Sequence, residues 1–203
     1  MKDEMLATCN EFLDDGDAVE RSIVHELGLF HKTSHVWLYD DEGFVYFQVR
    51  TDADKLYTSA SGHVLANETP QEAAIRETKE ELGINIKEAN LELIEVDRWE
   101  FDSETKHDHA FAHIFLYKLP VNFTEFKVDL SEVSMVVKLK AKDLLGYLLC
   151  LPFECEQFNI QNKKLKHNKD LLLMDGEISI LKYGRILQAI TKRTTHEKEN
   201  IKS

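Results

Sequence analysis

Apolar residues along this chain gather first into short runs and then, towards the C-terminus, into helically spaced positions. His35–Tyr39 (HVWLY) and Phe44–Arg50 (FVYFQVR) read as two strands joined by the turn Asp40-Asp41-Glu42-Gly43. Leu91–Glu100 and Ala110–Leu119 (AFAHIFLYKL) read as a second pair, with a polar segment, FDSETKHDH, that is long for a minimal hairpin. A further strand is expected over Val133–Leu139. Asp143, Leu144, Leu145, Leu148 and Leu149 then suggest an amphipathic helix, and Ile178–Thr194, with Ile180, Leu181, Leu187 and Ile190, a second. The charged residues after Thr194 are expected to fray. Residues 1–30 are polar and mixed, with one short helix over Ala18–Leu27 that ends at Gly28 and carries Arg21 and His25 on one face. The pattern predicts an α/β chain with a mixed sheet, one domain over 1–145, and a helical C-terminal extension over 146–203 packed on it. With 3 Pro and 8 Gly there is little to build a hinge between independent domains.

The segment Gly62–Gly83 stands apart from this pattern. Thr69-Pro70-Gln71-Glu72 is a capping box, with Thr69 as N-cap and Pro70 at the first helical position, and Gly83 is the natural stop. At about 100° per residue, Glu77, Glu80 and Glu81 share one face of the helix between them, while Ile75 and Leu82 lie opposite. Ala73 and Ala74 flank the carboxylates with little bulk, which is expected to leave room for a ligand. No lysine shares that face with the three glutamates, an arrangement that would cost stability on a solvated helix. A divalent cation would relieve the repulsion, and a cation held by carboxylates points to phosphate chemistry. Arg76 is placed to hold a carboxylate by a bidentate contact, with Glu72 and Glu80 one turn to either side. Gly62 would let a backbone carbonyl approach a metal.

Composition narrows the partners. The formal net charge is −12, which argues against a general nucleic-acid surface yet allows a small phosphorylated ligand neutralised by a metal. No apolar stretch is long enough for a membrane span, and MKDEMLATCNEF is too polar for a signal peptide. Cys9, Cys150 and Cys155 lack metal or disulfide spacing, so a cytoplasmic protein with reduced thiols is expected. Trp37 and Trp99 read as packing residues before base-stacking platforms. The run Lys163–Lys169 reads as a solvated loop, and an apolar face on 178–190 is compatible with the core or with a homodimer.

The full pattern, G-x5-E-x7-R-E-x2-E-E-x-G over Gly62, Glu68, Arg76, Glu77, Glu80, Glu81 and Gly83, resembles the signature of the Nudix superfamily. Such a match arises by chance on the order of once in 10^8 start positions. The resemblance implies an α/β/α sandwich with a mixed sheet, Mg²⁺ or Mn²⁺ bound by Glu77, Glu80 and Glu81 with the Gly62 carbonyl, and Arg76 orienting the carboxylates. Two positions depart from it. Thr78 stands where a bulky aliphatic is usual, an effect on packing, and Asn67 stands where glycine is frequent and can adopt the left-handed conformation instead. GLFHKTSHVWL (Gly28–Leu38), Gln48–Arg50 and TSASGHV (Thr58–Val64) further resemble the branch related to isopentenyl-diphosphate isomerase.

Three activities are compatible with that resemblance. A hydrolase would direct water at a phosphorus of a nucleoside diphosphate derivative, with Glu77 or Glu80 as general base and His31, His63 and Arg50 binding the substrate. Glu132, His107 and His109 are further candidates for the base. An isomerase would need a cysteine where Ser61 stands, although His31 and His63 match positions at which isomerases place metal-binding histidines. A non-catalytic nucleotide sensor would be expected to lose signature carboxylates, all of which are present. The hydrolase is the expectation.

Overall fold

The computed structural model describes residues 4–51, 56–104, 107–121, 123–148, 158–159 and 178–200. The chain divides into two compact units. One is built from residues up to Val36, Ala60–Lys79 and Asn85–Leu116, the other from Trp37–Ser59, Glu80–Ile84 and residues from Tyr117 onward.

In the first unit, β1 (Met5–Cys9) pairs antiparallel with β2 (Asp15–Glu20), and α1 (Arg21–Leu27) follows at once. The helix expected over Ala18–Leu27 therefore starts later, because Asp15–Glu20 is strand. Neither strand announces itself. β2 (DGDAVE) is almost wholly exposed and joins the sheet through its backbone, with no alternating apolar face to betray it. Gly28, with φ 62°, ends α1 in the left-handed conformation expected of a C-terminal glycine.

The start of β3 (His31–Tyr39) pairs antiparallel with β6 (Ala60–His63), in the register Thr33↔His63 and Val36↔Ala60. β7 (Glu92–Asp102) and β8 (His107–Lys118) form a long antiparallel hairpin, and β8 also pairs with β3. Both ends of the polar segment expected between them, Phe101–Asp102 and His107–His109, are strand, and Asp102 pairs with His107. Exposed polar ends are held here by ladder hydrogen bonds, so side-chain polarity alone hid them.

In the second unit, β4 (Phe44–Arg50) pairs antiparallel with β9 (Val133–Lys140), with the short β5 (Leu56–Tyr57) and with the end of β3. A two-residue β10 (Phe158–Asn159) extends β9. Phe44 to Val49 are all buried, as an interior strand covered on both faces requires. The turn into β4 is made by Asp40, whose Oδ1 accepts from the Glu42 and Phe44 amides, and by Gly43 at φ 83°. Trp37 is a core residue, with Phe47 and Tyr183 against its ring.

α3 (Ala141–Leu148) packs with α4 (Ile178–Asn200), in which Ile186, Leu187 and Ile190 are buried. α4 runs on through the expected fraying point at Thr194, whose buried hydroxyl donates to the Ile190 carbonyl. Cys150, Cys155 and Lys163–Lys169 lie outside the described residues.

Candidate active site

Helix α2 (Pro70–Leu82) begins as its capping box requires. The Glu72 amide donates to Thr69 Oγ1 at 3.2 Å, and the Thr69 amide donates back to Glu72 Oε2 at 2.8 Å. The Thr69 amide and hydroxyl, both donating to Glu72 Oε2, hold the Glu72 carboxyl below its ordinary range. Gly83 ends the helix at φ 68°, and Asn67 takes φ 68° in the loop before it, the left-handed conformation expected of both. The Lys127 amide then caps the Leu82 carbonyl at 2.9 Å.

Arg76 is the hub of the helix's first half. Its Nε and Nη2 donate to the two oxygens of Glu68 at 2.8 and 3.0 Å, Nη1 donates to Glu77 Oε1 at 2.6 Å, and Nη2 reaches the His63 carbonyl at 2.9 Å. A bidentate contact of the kind expected for Arg76 is made to Glu68 in the preceding loop. Burial pulls the guanidinium pKa down, but Glu68 and Glu77 outweigh it and hold the pKa above its ordinary value. A permanent cation so placed fixes the strand end at His63, the loop glutamate and Glu77 to one another.

Gly62 explains how close that fit is. A Cβ added there would stand 1.9 Å from Glu77 Oε1, so the carboxylate lies directly on the Gly62 backbone. One turn on, Glu81 is 2 % exposed and accepts a hydrogen bond from Gln48 Nε2 at 3.2 Å. Glu80 is exposed. Ala73 and Ala74 are fully buried, so they serve close packing of the helix. Thr78 has the packing role expected of it, buried with its hydroxyl donating to the Ala74 carbonyl at 2.7 Å.

A second cluster forms in the first unit. One nitrogen from each of His25 on α1, His31 on β3 and His63 on β6 lies within 4.8 Å of the other two. Their rings pack at centroid distances of 5.2 to 5.3 Å. Asp108 Oδ1 on β8 lies 3.8 Å from His25 Nε2 and 3.7 Å from His31 Nε2. Burial, followed by the neighbouring His31, Arg21 and His25, pushes the His63 pKa down to about 3. His63 therefore stays neutral near pH 7, with a lone pair to offer.

A NUDIX domain model matches residues 29–146, more than half of the chain. The chain belongs to the Nudix hydrolase family. It is 33% identical over 153 residues to an uncharacterized Nudix hydrolase of Clostridium acetobutylicum, a match covering 68% of this chain and 74% of that protein. It is 33% identical over 124 residues to an uncharacterized Nudix hydrolase of Rhodococcus erythropolis, covering 58% of this chain and 67% of the relative. The fold is similar to a crystal structure of a Deinococcus radiodurans protein, with a TM-score of 0.55 and 19% identity over 72% of this chain and 89% of that one. The α/β Nudix fold, with its mixed sheet and helices, is thereby established. The narrower likeness to the isomerase branch rests on the sequence segments alone.

In this Nudix chain the other residues singled out by sequence make contacts of their own. The Arg50 guanidinium lies over the Tyr57 ring at 5.7 Å. His107 Nδ1 and His109 Nε2 converge on Asp102 Oδ1 at 2.6 and 2.9 Å, which holds that carboxyl below its ordinary range. Glu132 is exposed, and its backbone carbonyl accepts from the Thr51 amide. Trp99 stacks on Phe101 at 6.5 Å. Sequence reasoning missed His25, Asp108 and Gln48 as members of these clusters. The register is the signal that finds the histidines. Thr33↔His63 puts His31 diagonal to His63 on the same face of the sheet.

Proposed function

We propose that the chain is a metal-dependent pyrophosphohydrolase that cleaves the diphosphate linkage of a nucleoside diphosphate derivative by attack of water at phosphorus. The observation that carries this reading is the Glu77 carboxylate, laid on the Gly62 backbone and held by Arg76, on the same helix as buried Glu81. The donor set fits a hard divalent cation, because carboxylate and carbonyl oxygens suit Mg²⁺ and Mn²⁺. Glu77, Glu80, Glu81 and the Gly62 carbonyl would hold it. Once bound, such a cation neutralises phosphate charge and polarises the phosphoryl oxygens.

The chain's own residues supply the remainder. Arg76 keeps Glu77 in one position through the reaction, and Glu77 or Glu80 takes the proton of the attacking water. Glu80, being exposed, passes a proton to bulk water readily. The imidazole cluster fits a borderline cation such as Zn²⁺, with His25, His31 and His63 as donors and Asp108 beside them. His31 and His63 would bind the substrate's phosphates, and Arg50 a further anionic group.

The isomerase alternative is weaker on chemical grounds. Ser61 occupies the relevant strand position, opposite His35. Cys9 is buried, and burial pushes its thiol pKa up. A panel of nucleoside di- and triphosphates, dinucleoside polyphosphates, nucleotide sugars and isopentenyl diphosphate tests the reading. Phosphate or pyrophosphate release with Mg²⁺ or Mn²⁺, abolished by chelator, is expected from a nucleotide derivative. No release across the panel would overturn the hydrolase, and isomerised isopentenyl diphosphate would replace it.

A further inference from the structure

Gln48 is the polar residue in the otherwise apolar interior of β4, and it is 1 % exposed. Its Nε2 donates to Glu81 Oε2 at 3.2 Å, while its Oε1 is buried with no hydrogen-bond partner among the described residues. Strands covered on both faces favour apolar side chains, and a buried amide with an unsatisfied oxygen is costly there. The amide orientation follows from electrostatics, since turning its oxygen towards Glu81 would set two acceptors against each other. A neutral donor also differs from a lysine or arginine in what it leaves behind. It orients the carboxylate without cancelling the negative charge that a cation needs.

We propose that Gln48 is a positioning residue for cation binding: its amide nitrogen fixes the Glu81 carboxylate, and its amide oxygen accepts from water carried by the cation. The proposal rests on the reading of Glu81 as a cation ligand. Outer-shell partners of this kind set the rotamer of the ligand they touch and are worth roughly 10–100-fold in metal affinity. The oxygen that is unsatisfied among the described residues is the acceptor such a water requires.

The test is Mn²⁺ binding to the purified chain, read from the free-ion paramagnetic resonance signal, in wild type, Gln48→Met, Glu81→Gln and the double variant. Gln48→Met is expected to weaken binding about 10- to 100-fold. In the Glu81→Gln background the same change should have little further effect, because Gln48 acts through Glu81. Wild-type affinity in a folded Gln48→Met, or effects that simply add, would overturn the proposal. If Gln48→Met melts early, Gln48→Asn, which keeps an amide but shortens its reach, is read the same way. Should Glu81→Gln itself bind Mn²⁺ normally, the ligand role of Glu81 fails, and that outcome is distinct from a failure at Gln48.

Discussion

The carboxylate helix and the histidine cluster bring ligand atoms of opposite character together by opposite routes. Glu77, Glu80 and Glu81 are oxygen donors on one stretch of α2, and helical phase alone sets their spacing. His25, His31 and His63 are nitrogen donors drawn from a helix and two strands. Their meeting depends on the β3–β6 register, where a slip of one residue would turn His63 to the other face. The compensation differs as well. Arg76 supplies a permanent positive charge beside Glu77, whereas burial keeps the His63 ring neutral. A hard cation suits the first region and a borderline one the second, so the choice of cation can report on each separately.

The largest separation is expected from Glu77→Gln. Removing a group asked to bind the cation or take a proton should lower kcat about 10^2–10^4-fold on the substrate found by the panel. Co²⁺ absorption reporting on the imidazoles should stay unchanged. Loss at both places would show that the two regions act as one. The reverse experiment is His63→Ala, for which Co²⁺ should bind at least about 10-fold more weakly while Mn²⁺ at the carboxylates keeps its affinity.

Gly62→Ala sharpens the comparison from the backbone. The new Cβ would fall 1.9 Å from Glu77 Oε1, so the carboxylate must leave its place. Mn²⁺ affinity should drop by roughly tenfold, with the histidine cluster spared.

The smallest effect concerns His113, a buried histidine outside the cluster. Burial lowers its pKa against the pull of hydrogen bonds to the Thr33 and Phe111 carbonyls. Its unfolded value is about 6.5, so below that pH the unfolded chain takes up a proton that the folded one refuses. Stability should therefore fall as pH drops from about 6.5 towards the lowered folded pKa, by no more than about 1.4 kcal/mol per unit. Urea unfolding of His113→Gln between pH 7 and 5, with chelator present, should show a flatter slope than wild type. An equal slope would assign the acid limb to other groups.

What was legible followed the range of the interactions. The capping box, Gly83 and Asn67 are local devices, and each took the conformation its residue type predicts. The strand run at Phe44–Arg50 was readable because both of its faces are covered. β1 and β2 were not, since a short run and an exposed acidic one carry no face to recognise. That Ala73 and Ala74 are buried was not legible, because residue size says nothing of what packs against it. Arg76 reached back to Glu68, outside the helical spacing that had suggested Glu72 or Glu80.

By itself the sequence determined the α2 helix, its caps and the phase of Glu77, Glu80 and Glu81, because those depend on neighbours a few residues away. Tertiary structure decided which carboxylate lies on Gly62, that Gln48 faces Glu81, and that three histidines meet beside Asp108. Such contacts join residues far apart in the chain. Strand register and packing choose among them, and neither is written in any one segment.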